Sequence, residues 1–266
     1  MAFNNRKPPK QGAHGVARVI SKRGYCSRSQ AEKLVREGHV ILRGKPVRDP
    51  ESPAYENDEI LVNGKPVTAS EFVYFAMNKP RGIVTTASDE KGRKTVMDLF
   101  REEYAKMFPG KPMPHIAPVG RLDAASEGLL LFTNDTQWAD TLLNQTRCHS
   151  GAAGDRIHKQ SHFKVYRVQV KGKPTADDLA KMEAGFNVPP RIFGEKEEFM
   201  HAERALLHNK GEKNCWLEIT LSEGKNREIR RMLAHLGYEV MRLVRIQFDK
   251  YTLGNLKPGE IRTVQV

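Results

Sequence analysis

HIAPVGRLDAASEGLLLFTND, residues 115–135, sets a polar loop against an apolar run: Gly120, Arg121, Leu122 and Asp123 lie in the loop, and Gly128 introduces Leu129 to Phe132. Such a run reads as a buried strand, so Asp123 is held on a loop anchored by a rigid element. A carboxylate placed this way is positioned for chemistry. A lone aspartate is more often a turn former or a salt-bridge partner, so the surrounding segments must decide.

Upstream, FVYFAMNKPRGIVTT (72–86) predicts an apolar strand ending in the loop Asn78–Gly82, and a second domain beginning near residue 71. Downstream, FKVYRVQV (163–170) alternates, so Tyr166, Val168 and Val170 share one strand face while Arg167 and Gln169 share the other. Periodicity alone reads Tyr166 as a core tyrosine; the functional alternative is a pocket ring against an unstacked base. The stretch 215–248, CWLEITLSEGKNREIRRMLAHLGYEVMRLVRIQF, reads as strand, turn, helix, strand. Ile229, Met232, Leu233 and Leu236 form the buried stripe of that helix and Gly237 its stop. Arg227 and Arg231 project away from the stripe, which suits phosphate binding. Arg230 lies on its flank, where a guanidinium can reach a partly buried carboxylate.

The chain's 266 residues fit two domains, one large enough for its own core. Forty-four Lys plus Arg against 32 Asp plus Glu give a net charge of +12, which favours polyanionic partners, nucleic acid first. Cys26, Cys148 and Cys215 are widely separated and cannot form a fully paired framework, which suits the reducing cytoplasm. No apolar run long enough for a signal peptide or membrane span occurs, so neither export nor membrane association is expected. Residues 1–14 read as a disordered basic arm.

Order is expected from Val16, where Val16 and Ile20 share a helical face that ends at Gly24. Ser27 and Gln30 have capping-box spacing and open a second helix, stopped at Gly38. Val40–Leu42 and Ile60–Val62 are strand candidates, each followed by a turn of one form, RGKPV at 43–47 and NGKPV at 63–67. The stretch YCSRSQAEKLVREGHVILRGKPV resembles the S4-like RNA-binding domain over about residues 15–67. That resemblance implies that the basic face of the helix pair lies on folded RNA, with Arg23, Arg28, Lys33 and Arg36 as contacts.

Taken together, the S4-like module, the KPRG strand loop, GRLD followed by EGLLL, the Tyr166 strand and GKNREIRRM resemble the RsuA-type family of ribosomal RNA pseudouridine synthases, in family order over residues 15–266. The resemblance implies an α+β catalytic domain (71–266) on a mixed, largely antiparallel sheet with flanking helices, joined to a small α/β RNA-binding domain (15–70). It implies an isomerase that flips a uridine and rejoins its base through carbon-5, without cofactor or metal, on ribosomal RNA or a pre-ribosomal particle. Large-subunit RNA is favoured over small-subunit RNA, and a monomer is expected. Carried over by position, Asp123 is the essential carboxylate, Tyr166 faces the base, Arg230 holds Asp123 and Arg121 orders the loop. Whether Asp123 attacks the sugar or removes a sugar proton to form a glycal stays open.

Val165 stands where relatives often have threonine, and Thr136 where glycine is usual. Residues 144–162 look like an inserted loop, either an RNA-contacting segment or a surface insertion without function. Within it, Cys148, His149, His158 and His162 make a poor metal set, because adjacent ligands are strained and no CxxC occurs. A noncatalytic RNA-binding protein of this fold would explain the charge equally well, but the intact GRLD argues against it. A methyltransferase would show a Gly-rich cofactor loop, and none is found.

Overall fold

The computed structural model describes residues 12–68, 70–86, 92–143, 162–190 and 196–266. The fold is α+β, in two compact units, one built mainly on residues up to Val73 and the other from Tyr74 onward. The predicted basic arm up to residue 11, and residues 144–161 of the predicted insertion with Cys148, His149 and His158, lie outside the described residues.

In the first unit, helices Val16–Lys22 and Arg28–Arg36 pack on a four-stranded antiparallel sheet. The Ser27 side chain accepts from Gln30 N, and the Gln30 side chain accepts from Ser27 N, so two end donors of the second helix are satisfied reciprocally. The two GKPV turns make two hairpins. Arg43 and Gly44 (φ 50° and 75°), and Asn63 and Gly64 (φ 50° and 74°), are left-handed pairs whose twist matches that of the flanking strands. Val40–Leu42 pairs with Lys45–Val47, Ile60–Val62 with Lys65–Pro66, and the two inner strands with each other. Val16, Ile20, Ala31, Val35, Val40, Leu42, Ile60 and Val62 close the core beneath them.

In the second unit nine strands of the described residues form one sheet. Its main path runs Arg204–Lys210, Asn214–Leu221, Lys164–Lys171, Glu239–Phe248, Glu127–Thr133, Tyr74–Lys79, Ile261–Thr263. All neighbouring pairs are antiparallel except one: Glu239–Phe248 runs parallel to Glu127–Thr133, through Val244 opposite Glu127 and Arg245 opposite Gly128. That junction falls at the end of the GRLD loop. The apolar run predicted at Leu129–Phe132 is a buried strand, covered by Trp138 and Leu142 on one side. On the other, Phe132 packs against Phe100 of the helix Val96–Met107, ring centroids 4.9 Å apart. The helix Glu228–His235 buries Ile229, Met232 and Leu233 of the predicted stripe, whereas Leu236 caps its end and is half-buried, and Gly237 follows at φ 86°.

Candidate active site

Asp123 sits on a loop whose backbone is tied down one carbonyl at a time. Leu122 O accepts from Thr85 Oγ1 (2.7 Å), Asp123 O from Ser126 N (3.0 Å) and Ala124 O from Gly82 N (2.7 Å). Ala125 O accepts from Arg230 Nη2 (3.1 Å) and Ser126 O from Lys79 Nζ (2.7 Å). Five consecutive carbonyls therefore each have a donor, four of them from distant chain segments. Such a loop has no cheap alternative conformation, since each released carbonyl would lose its bond.

Two of these donors are cations withdrawn from water. Lys79 is fully buried, and its ammonium also donates to Pro80 O at 3.0 Å. Burial brings its pKa down to about 8, against the upward pull of the Glu127 and Asp123 carboxylates. Arg230 is half-buried and spans from Ala125 O to Val240 O (3.2 Å). Burial lowers its pKa first, and the like charge of Arg227 lowers it further, while Asp123 raises it.

The Asp123 carboxylate itself is met by Arg227, whose Nη1 lies 3.4 Å from Oδ2. Arg227 takes a left-handed backbone conformation (φ 51°) at the position that begins the helix Glu228–His235. The sequence reading gave Asp123 to Arg230 and a phosphate to Arg227. The structure puts Arg227 on the carboxylate and Arg230 on the backbone two residues beyond it.

Asp123, Arg121 and Arg227 line one cleft of about 390 Å³, together with Tyr166, Lys164 and Arg245. That volume falls in the range of small-ligand sites. Tyr166 is 8 % exposed and stands with Val168 and Val170 on the buried face of its strand, so it is both a core tyrosine and part of the cleft wall. Arg121 is exposed. Arg231 is occupied elsewhere, with Glu198 Oε2 at 2.6 Å and Pro189 O at 3.1 Å. Sequence reasoning missed Thr85, Gly82, Lys164 and Arg245, and gave Lys79 no task. Only Lys79 carried a signal, as a charged residue closing an apolar strand.

In the first unit, Arg23 is turned inward. It donates to Val67 O (2.7 Å), Glu56 O (2.9 Å) and Asp58 O, which makes it a brace of the small sheet. Arg28 is exposed and shared between Glu32 (3.0 Å) and Glu51 (3.2 Å), Lys33 is 3.8 Å from Glu37, and Arg36 is exposed. Among the described residues no helix is long and apolar enough to cross a membrane, and no group of three His, Cys, Asp or Glu side chains is arranged for a metal.

Comparison with known proteins identifies the family. Residues 73–235 match the model of the RNA pseudouridylate synthase family and residues 16–60 that of the S4 domain. A Bacillus subtilis protein named ribosomal large subunit pseudouridine synthase B is 34 % identical over 248 residues, covering 93 % of this chain and 90 % of that protein. An RNA pseudouridine synthase of Rickettsia conorii, described as uncharacterized, is 34 % identical over 255 residues, covering 94 % and 96 %. A crystal structure of a pseudouridylate synthase superposes with a TM-score of 0.58 at 26 % identity, over 95 % of this chain and 96 % of that one. With its five motifs in order, an S4 domain at the N-terminus and this sheet, the chain belongs to the RsuA-type RNA pseudouridine synthases and is an isomerase.

Proposed function

We propose that this enzyme converts one uridine of ribosomal RNA to pseudouridine, with Asp123 as the essential carboxylate and Tyr166 as the wall against the flipped base. The observation that carries the reading is the clamped loop: five bonded carbonyls hold Asp123 at the opening of a cleft floored by Tyr166. The Asp123 side chain is 43 % exposed, so a sugar can reach it, whereas the base must enter deeper. A base inside a helix cannot get there, so the nucleotide has to be turned out of its stack. Arg227 balances the carboxylate's charge, and Arg121 is available to the target's phosphates.

Large-subunit RNA is the favoured substrate, in line with the named function of the Bacillus relative. The exposed Arg28, Lys33 and Arg36 of the S4 domain supply further phosphate contacts. On this reading the enzyme works as a monomer in the cytoplasm, on ribosomal RNA or a pre-ribosomal particle, and needs no cofactor. The reaction exchanges one bond at the anomeric carbon for another, and its demands are position and charge compensation.

The test is pseudouridine mapping by carbodiimide labelling and primer extension on ribosomal RNA from cells with and without the gene, complemented by wild type or Asp123→Asn. One site lost and restored by wild type alone supports the reading and names the uridine. No lost site in either subunit overturns it.

A further inference from the structure

The cleft wall carries two further cations, the buried Arg245 and the half-buried Lys164, which the proposed reaction leaves without a task. Arg245 is 3 % exposed and stands opposite Tyr166 in the antiparallel register of their strands. Its Nε donates to Leu129 O at 2.8 Å, while its Nη2 is buried and has no hydrogen-bond partner among the described residues. Lys164 precedes Tyr166 by two positions, on the same strand face, and its ammonium donates to Glu223 O at 3.3 Å. Both charges sit over the Phe248 ring, Arg245 at 5.1 Å and Lys164 at 5.2 Å from its centroid. Two carboxylates act on Lys164, Glu228 and Glu223. Glu228 accepts from Lys225 N and burial raises its own pKa, and Glu223 is paired with the Lys225 ammonium at 2.9 Å. Burial and the nearby Arg245 charge in turn lower the pKa of Lys164. A buried guanidinium with an unused donor, beside a second partly desolvated cation, is costly unless a ligand supplies the missing acceptor.

Depth identifies which part of a nucleotide that is. The Asp123 and Arg227 side chains are 43 % and 39 % exposed, whereas Tyr166 and Arg245 are 8 % and 3 % exposed. A nucleotide entering base first, with its anomeric carbon at Asp123, leaves its phosphates outside and brings the base's two carbonyl oxygens to the floor.

Resting on the proposed reaction, we propose that Lys164 and Arg245 hold the carbonyl oxygens of the target uracil and stabilise the base as an anion while it is detached from the sugar. When the bond from the anomeric carbon to N1 breaks, its electron pair stays with the base and spreads over N1, O2 and O4. After the ring turns, carbon-5 donates a pair to the anomeric carbon, the carbon-5 proton leaves to solvent, and N1 takes up a proton in its place. The negative charge therefore exists only between cleavage and rejoining, and fixed donors at the cleft wall bring both transition states closer in energy to the intact bound RNA without binding that RNA more tightly.

The test pairs enzyme variants with altered bases. An RNA fragment carrying the mapped uridine is made with uridine, 2-thiouridine or 4-thiouridine at that position, and single-turnover rates and RNA Kd are measured for wild type, Lys164→Met, Lys164→Arg and Arg245→Met. Sulfur accepts hydrogen bonds more weakly than oxygen. Each Met variant is expected to slow the uridine reaction about 100-fold with RNA Kd changed by less than about threefold, the scale of a lost oxyanion donor. Lys164→Arg should recover part of that rate. At least one thio substitution should slow wild type about tenfold yet slow one Met variant by less than about twofold, because the contact it weakens is already gone. Fully multiplicative effects in every combination, or a Kd that rises as far as the rate falls, would overturn the assignment; the second result would point to phosphate binding. Should Arg245→Met fail to fold, Lys164→Met alone decides. If the mapping finds no uridine that depends on this enzyme, the functional reading itself falls, and this assignment with it.

Discussion

Arg227 and Arg230 divide the support of Asp123 between them: Arg227 meets its carboxylate at 3.4 Å, and Arg230 bonds Ala125 O at 3.1 Å. The first contact is between half-exposed groups and depends on charge, while the second fixes backbone from a half-buried position.

The two arginines should therefore fail differently. Arg227→Ala is expected to lower stability by less than about 1 kcal/mol, as exposed pairs do, and to slow turnover about tenfold. Arg230→Met leaves Ala125 O without its donor and is expected to cost about 1–3 kcal/mol and to slow turnover at least about 100-fold. Urea unfolding and single-turnover rates on the mapped RNA fragment check both. Equal losses from the two variants would contradict the division.

Asp123→Asn keeps the size of the side chain and removes its charge. Turnover should vanish while RNA affinity stays within about tenfold of wild type, because phosphate contacts supply most of the binding. A filter-binding titration beside the turnover assay separates the two effects, and an active Asn variant would sink the role of Asp123.

Gly128 is where the Glu127–Thr133 strand passes closest to Arg245. A Cβ there would lie 2.3 Å from Arg245 O and 2.8 Å from Arg245 N, at φ 101°, a region costly for any side chain. Gly128→Ala should destabilise the protein by about 3 kcal/mol or more, since both partners are backbone and neither can turn aside. Thermal unfolding of the variant is the check, and a loss below about 1 kcal/mol would mean that the two strands part without difficulty.

Lys79 gives stability a pH dependence with a definite sign. Its folded pKa of about 8 lies below the ordinary lysine value, so below pH 8 both states carry the charge and the folded state bears the cost of burying it. As pH rises from 8 toward about 10.4, the unfolded state binds more protons than the folded one, and this contribution to stability increases by up to about 3 kcal/mol. Urea midpoints at pH 7.5 and pH 10 should show wild type gaining on Lys79→Met. A difference that does not change with pH would show that the ammonium is not depressed.

Removing residues 1–70 should weaken RNA binding or selectivity more than it weakens the remaining fold. The catalytic unit has its own core, centred on Ala76, Leu129, Leu131 and Phe248. Unchanged affinity and selectivity in the shortened protein would contradict the role given to the S4 domain.

What the sequence made legible was local. The capping box of Ser27 and Gln30, the paired GKPV turns and the apolar Leu129–Phe132 strand each rest on residues within a few positions of one another, and each is present. Tyr166 was placed on the correct strand face by alternation. The donors that fix the GRLD loop were not legible, because Thr85, Gly82, Lys79 and Arg230 come from separate segments and no periodicity records which carbonyl each will meet. Helical spacing put Arg227 on the solvent side, but its left-handed backbone takes it out of the helical repeat and toward Asp123. Arg23 looked like one more basic residue on a basic helix, and only the fold shows that three carbonyls take up its donors.

The parallel contact of Arg245 with Gly128, and the pairing of Ile261 with Met77 at the sheet edge, also bear on how the enzyme is born. On a ribosome the strand that follows Asp123 emerges long before the strand that must lie beside it, and pairings so distant in sequence form late. The helix pair and hairpins of the first unit use near neighbours and can form while synthesis continues. A nascent chain would therefore possess an RNA-binding module before it possesses a working active site, and catalysis would have to wait until Arg245 and the closing strand had left the exit tunnel.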